Sequence, residues 1–344
     1  MPTPLRRRRV ALLLALALVG LGACSAAATV PSAKTSPPSP STAPATSPSP
    51  TQTTTPVAAF PVTLTDDEGT TVELASEPRR IVSLTPATTE VLFALGAGDR
   101  VIATTDFDDY PPEAVALPDV ASYTAVDVEK IVGLEADLVV AGGNLFNDPA
   151  AIARLRELGV PVLVVYAKDV AGVLADIELV GAAAGRSAEA KDLSASMRAG
   201  FDQVGAALAD LPRPRVFYEL DATSDIYTAA KDSFVEEMIT LAGGEAITTG
   251  SATDFSISIE KLITADPEVI LLGDAAYGVT ADAVAARPGW NVMTAVKERR
   301  IRGVNDIIIT RPGPRLVDGL RELALAIHPD AVLPSPAPPA SVAP

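Results

Sequence analysis

The sequence offers little for covalent chemistry and much more for holding a ligand. It contains one cysteine, Cys24, and one histidine, His328. A structural disulfide and a Cys/His zinc site need more than that, while a Cys–His pair or a Ser-His-Asp triad would have to be built on His328. His328 stands in Ile-His-Pro at the end of the last apolar run, where a side chain serves as a cation at a helix C-terminus. No Gly-x-Ser-x-Gly elbow and no GxxxxGK[ST] loop occurs. Gly96-Ala-Gly98 lacks the third glycine of a dinucleotide fingerprint and reads as a helix stop. Glu90 or Asp106 could act as an acid or base, but neither is joined by a nucleophile or a metal set. The expectation is a protein that is not an enzyme, with no catalytic residues and no metal site.

What remains is a scatter of aromatic and polar side chains on segments that follow apolar strands. In the first half these are Thr85, Phe107, Asp108, Tyr110, Tyr123, Asn144 and Phe146. In the second they are Tyr218, Asp221, Tyr227, Asp254, Phe255, Asp306 and Arg311. Aromatic residues make up only 4% of the chain, so their recurrence at strand ends points to ring faces that grip a small molecule. Trp290, after Pro-Gly, reads as a helix-packing residue. Two carboxylates, Glu129 and Glu260, each stand two residues after a helix-capping side chain, Asp127 and Ser258. A first-turn carboxylate gains about 0.3–1 kcal/mol from the helix dipole.

The elements that must position these groups alternate between strand and helix. Residues 64–74 read as a hairpin turning at Asp67-Glu68-Gly69. Apolar strands follow at 80–84, 101–104, 138–141 and 162–166, with helices at 88–95 and 149–158. Uninterrupted apolar strands alternating with helices predict parallel sheets covered on both faces. From 173 to 208 the apolar spacing is helical throughout, which predicts one long helix with a weak point at Gly185-Arg186-Ser187. After Pro212-Arg-Pro214 the α/β pattern restarts. Strands are expected at 216–220, 269–272 and 300–304, and helices at 233–242, 289–298 and 314–327.

The second half repeats the first. Residues 126–143 (VDVEKIVGLEADLVVAGG) match 257–274 (ISIEKLITADPEVILLGD) at a constant offset of 131, which pairs Glu129 with Glu260 and Lys130 with Lys261. Such a repeat means two similar lobes. The expected fold is therefore α/β, with two Rossmann-like lobes of parallel sheet flanked by helices. One long backbone helix joins them and a ligand cleft lies between them. The divisions are 59–169 for the first lobe, 170–211 for the helix and 212–332 for the second lobe.

Charge and the chain ends narrow the setting. The 344 residues carry 27 Lys and Arg against 43 Asp and Glu, a formal charge of −16. Without residues 1–23 the balance is 23 against 43, or −20. A body that acidic repels nucleic acid. Arg6 to Arg9 followed by the apolar run Val10–Leu21 reads as an export signal, too short to span a bilayer, which takes about 20 residues. Leu21-Gly-Ala-Cys24 resembles the lipidation box of bacterial lipoproteins, which implies a signal peptide over 1–23 and a lipid on Cys24. Residues 24–58, rich in Ser, Thr, Pro and Ala, read as an extended tether. It could reach roughly 100 Å at about 3.1 Å per residue. Residues 333–344 read as a disordered tail.

Taken together, the chain resembles the helical-backbone substrate-binding proteins that deliver cobalamin, ferric siderophores or haem to ABC importers. The resemblance rests on Arg80–Val101 (RIVSLTPATTEVLFALGAGDRV), Phe107–Pro112 (FDDYPP), Val128–Ala141 (VEKIVGLEADLVVA), Tyr227–Gly244 (YTAAKDSFVEEMITLAGG), Ile259–Leu262 (IEKL), Arg287–Trp290 (RPGW) and Thr310–Leu316 (TRPGPRL). These span about residues 60–330. The Asp-Tyr-Pro-Pro and Arg-Pro-Gly-Pro-Arg pieces look most like the cobalamin-binding branch. The resemblance implies a monomeric lipoprotein on the outer face of the cytoplasmic membrane. It has no resident cofactor, and its partners are a permease with a cytoplasmic ATPase. It also implies that Glu129 and Glu260 dock on permease arginines, and that the cleft residues bind the ligand. Phe107 and Tyr123 match cleft aromatics of the cobalamin type, Tyr123 lying six residues before Glu129. Asp254, six before Glu260, departs from that pattern, which has Trp there. The implied cleft offers Arg311, with Lys231 or Lys168, beside Asp108, Asp221, Asp254 and Asp306. That balance favours a neutral or cationic ligand, cobalamin first and a hydroxamate ferric siderophore next.

Overall fold

The computed structural model describes residues 60–123, 125–144 and 146–335. The expected signal peptide, Cys24, the tether to residue 58 and the tail beyond 335 lie outside the described residues.

The first lobe opens with the hairpin β1 (Val62–Thr65) and β2 (Thr71–Leu74). Buried Asp66 closes its turn by accepting from the backbone N–H groups of Glu68 and Thr70, and it is paired with Arg156 at 2.8 Å. Next come β3 (Ile81–Ser83), β4 (Val101–Thr105), β5 (Asp119–Ser122), β6 (Ala125–Val126), β7 (Leu138–Gly142) and β8 (Val162–Val165). They form a six-stranded sheet in the order β6-β5-β4-β3-β7-β8, parallel except for the β5–β6 pair. The second lobe holds β9 (Arg215–Glu219), β10 (Ile226–Tyr227), β11 (Glu245–Ala246), β12 (Ser256–Ile257), β13 (Val269–Leu272) and β14 (Ile301–Gly303). Its main sheet runs β11-β9-β13-β14, all parallel, with β10 and β12 forming a separate antiparallel ribbon. Both sheets are apolar along their central strands, as strands covered on both faces must be.

The segment expected as one helix is two. Val170–Ala183 ends at Gly185, whose φ of +69° suits a glycine, and Ser187–Leu208 then runs back antiparallel to it. The return is closed by Arg186 N–H donating to Gly181 O at 2.7 Å and by Arg100 reaching Ala184 O at 2.8 Å. Gly181 permits the close approach, since a Cβ there would lie 2.3 Å from Ala190 Cβ. The first helix packs on the first lobe. The second, about 33 Å long, packs on helices Phe234–Leu241 and Leu316–Ile327 of the second lobe.

Side-chain parity explains how this spine joins the lobes. Ile81, Leu138 and Val140 of the first sheet, both spine helices, and Val216, Tyr218 and Leu271 of the second sheet belong to one continuous core. The opposite faces, Val82 and Val139 in one lobe and Phe217 and Ile270 in the other, pack in separate clusters.

Candidate functional site

Loops from the carboxyl edges of the two sheets meet. After β4, the Asp108 carboxylate accepts from Thr105 N–H at 2.9 Å and from the Thr105 hydroxyl at 2.5 Å, which pins the turn that carries Phe107. Phe107 stacks on Tyr123, with ring centroids 4.4 Å apart at 23°, and lies 6.1 Å from the tilted ring of Phe146. The Phe146 loop is fixed by buried Asn147. Its amide oxygen accepts from Gly142 N–H at 2.7 Å and its amide nitrogen donates to Leu84 O at 3.1 Å. Beside it, Asn144 adopts a positive φ of 53° and donates to the Tyr166 hydroxyl at 2.8 Å. Three rings from the loops after β5, β4 and β7 thus make an aromatic shelf on the first lobe.

Among the described residues the exposed aromatic side chains are Tyr110, Tyr123, Phe146, Tyr166, Phe255 and Tyr277. Each lies on a loop at the carboxyl edge of a sheet: after β4, β5, β7 and β8 in the first lobe, and after β11 and β13 in the second. Tyr277 was not among the residues picked out from the sequence. The repeat offset of 131 carries Phe146 onto Tyr277, a signal that could have found it. Tyr277 is 89% exposed at the end of the turn Gly273–Tyr277, which Gly278 closes at a φ of +94°.

The lobes are joined beneath this rim by charge. Glu90, on helix Pro86–Ala94 of the first lobe, has a side chain only 2% exposed. It accepts from Arg311 Nη1 at 2.8 Å and from Arg315 Nε at 2.9 Å, and it also pairs with Arg315 Nη2. Arg311 Nη1 also donates to Asp109 at 2.6 Å, and Arg315 lies 4.3 Å over the Tyr110 ring. Burial works against the Arg311 charge. Hydrogen bonds and charge from Asp109 and Glu90 outweigh it and hold the guanidinium above its ordinary pKa. A groove of about 520 Å³ lined by Phe93, Tyr110, Pro111 and Pro314 flanks this contact.

Several residues expected in the pocket have structural work instead. Thr85 is buried and caps helix Pro86–Ala94, accepting from Thr88 N–H at 3.1 Å. Asp108 is buried and spends one oxygen on its turn, the other being enclosed without a partner. Tyr218 is fully buried and donates its hydroxyl to Asp306 at 2.7 Å. Its pKa is raised by burial first and then by the Asp306 charge, while burial raises that of Asp306 against the hydrogen bonds from Tyr218 and Thr310. Gly273 is needed above this pair, since a Cβ there would be 2.7 Å from the Tyr218 ring. Tyr227 is half-buried in β10 and bridges to Asp221. Asp254 is exposed and accepts from Ser256 N–H at 2.9 Å and its hydroxyl at 2.8 Å, bonds that lower its pKa. At the end of β9, buried Glu219 forms a two-armed pair with Arg287, itself 4.6 Å over Trp290. Burial and the nearby Glu219 raise Asp274, next to this pair, to about 6.

Glu129 and Glu260 are exposed in the first turns of helices Val128–Gly133 and Ile259–Ala265. The caps are those expected: Asp127 accepts from Lys130 N–H at 2.9 Å and Ser258 from Lys261 N–H at 3.3 Å. Hydrogen bonds from its own backbone N–H and from Ser258 lower the Glu260 pKa. No group of three or more His, Cys, Asp or Glu among the described residues could hold a metal.

Residues 81–307 match the model of a family described as periplasmic binding protein. The chain is 35% identical over 276 residues to an uncharacterized ABC transporter substrate-binding lipoprotein, YvrC, of Bacillus subtilis, covering 79% of this chain and 87% of that one. It is 32% identical over 281 residues to a cobalamin-binding protein of Halobacterium salinarum, covering 78% and 75% respectively. Among solved structures, the periplasmic haem-binding protein RhuT of Roseiflexus sp. is similar at a TM-score of 0.64 and 28% identity, over 74% of this chain and 98% of that one.

Proposed function

The chain belongs to the periplasmic binding protein family, as a substrate-binding component of the cobalamin, haem or siderophore type for an ABC importer, and we propose that its own ligand is a corrinoid. The observation that carries this reading is the placement of the exposed aromatic rings on the facing carboxyl edges of both sheets. A large, flat, largely apolar macrocycle offers faces for such rings to stack on. The charge balance supports a ligand with a neutral rim. Arg311 and Arg315 are already paired with Glu90 and Asp109. The cobalamin-binding relative supports the same reading.

In this reading the ligand enters between the lobes and rests on the shelf of Phe107, Tyr123 and Phe146, with Phe255 and Tyr277 on the opposing wall. Asn144, beside Phe146 and bonded to the Tyr166 hydroxyl, is a polar group at the shelf. The loaded protein then docks through Glu129 and Glu260, whose carboxylates form charge-assisted pairs with permease arginines. It works as a monomer, held to the outer face of the cytoplasmic membrane by lipid on Cys24. It performs no catalysis and keeps no resident cofactor.

Calorimetric titration of residues 59–335 with cyanocobalamin, haemin and ferric hydroxamates tests the assignment. Tight one-to-one binding of cyanocobalamin, with the others much weaker, is expected. Preference for haemin would replace the ligand by a haem, the second reading favoured by the similarity to the haem-binding structure.

A further inference from the structure

Arg311 is held from two sides. On the buried side is Glu90, with a side chain 2% exposed. On the solvent side is Asp109, 49% exposed, two residues from the shelf aromatic Phe107. One nitrogen, Nη1, serves both carboxylates, at 2.8 and 2.6 Å. Arg315 gives two nitrogens to Glu90 and lies over Tyr110, so it is fully engaged. Two arginines and two carboxylates make the cluster neutral.

We propose that Asp109 is a specificity residue of the cleft, its carboxylate occupying the place on Arg311 that an anionic ligand would take. The proposal rests on the cleft being the ligand site. A ligand with carboxylates on its rim would have to displace Asp109, trading one charge-assisted bond for another and leaving a second unpaired negative charge beside itself. A ligand with a rim of amides leaves the cluster intact. Selection thus comes from a repulsive element as well as from the aromatic contacts. The geometry makes Asp109 separable from the fold. It is half exposed, and Glu90 still anchors Arg311 when Asp109 is neutralised. Glu90 also keeps Arg315 as a partner when Arg311 is removed.

The test uses the full chain in detergent as wild type, Asp109→Asn, and Asp109→Asn with Arg311→Met. Haemin, with two carboxylates, and cyanocobalamin are titrated into each. Asp109→Asn should tighten haemin about tenfold or more. Cyanocobalamin should change by less than about threefold, and the haemin gain should vanish in the double variant. A haemin gain no larger than that of cyanocobalamin, or one that survives loss of Arg311, would overturn the proposal. A readout independent of either macrocycle is thermal stabilisation by succinate. It should be larger for Asp109→Asn than for wild type or the double variant. If neither macrocycle binds wild type, the corrinoid reading fails. The succinate comparison then decides on Asp109 alone, and equal responses in all three proteins would overturn it.

Discussion

The buried Glu90 is the most consequential side chain between the lobes, and Glu90→Ala tests that directly. The substitution removes three hydrogen bonds from two arginines that are 16% and 25% exposed. It leaves Arg315 with the Tyr110 ring and Arg311 with Asp109 alone. Removing one partner of a buried pair costs about 3–5 kcal/mol, because the remaining charge stays desolvated and uncompensated. For a body of this size about 2–4 °C accompanies each kcal/mol, so melting should fall by roughly 6–20 °C. Thermal circular dichroism measures this. The triple change Glu90→Leu, Arg311→Met, Arg315→Leu removes the charges together and should lie within about 2 kcal/mol of wild type. A loss below about 1 kcal/mol for Glu90→Ala, as for a surface pair, would refute the reasoning.

Three further outcomes are expected. Phe146→Ala and Tyr277→Ala should each weaken ligand binding about tenfold, as loss of a stacking ring does, with melting unchanged for Tyr277→Ala because that ring is 89% exposed. Reversing both Glu129 and Glu260 to Arg should abolish uptake in cells while calorimetric affinity stays at the wild-type value. Uptake at the wild-type rate would remove them from the docking surface. On helix Val170–Ala183, burial first, then the charge and hydrogen bond of Asp67, raise Asp176 from 3.8 to about 8. The folded state therefore holds a proton that the unfolded chain releases. Stability from this group is present below the ordinary carboxylate pKa and is lost as pH rises toward 8. Asp176→Asn should flatten that decline, so that its melting advantage over wild type grows from pH 4 to pH 8. A constant difference across the range would count against it.

Much of the architecture was legible because apolar runs and capping residues are local signals. Leu138–Gly142 and Val269–Leu272 could be read as buried strands from composition alone, and the repeat tied them together. Asp127 and Ser258 marked the helix starts that carry Glu129 and Glu260. The failures were of two kinds. Helical spacing continues through Ala183 and Ser187, so periodicity could not show that the chain doubles back. Gly185 with Arg186 was the only local trace. Other failures were long-range. Tyr218 sits at a strand end like the exposed rim aromatics, but its parity turns it into the core, onto Asp306 88 residues away. Arg311 reads as an open cation until Glu90, 221 residues distant, is brought against it.

The single core that runs through both sheets and the paired spine helices has a mechanical consequence. Swinging the lobes apart would tear a continuous apolar interior instead of flexing a linker, so the empty receptor is already set near its loaded shape. Little of a ligand's binding energy then goes into moving protein, and occupancy writes only a faint signal into the lobe geometry. In the proposed function, emptying the cleft becomes a task for whatever grips the two lobes from outside, and the work of prying them belongs to the importer's ATP cycle.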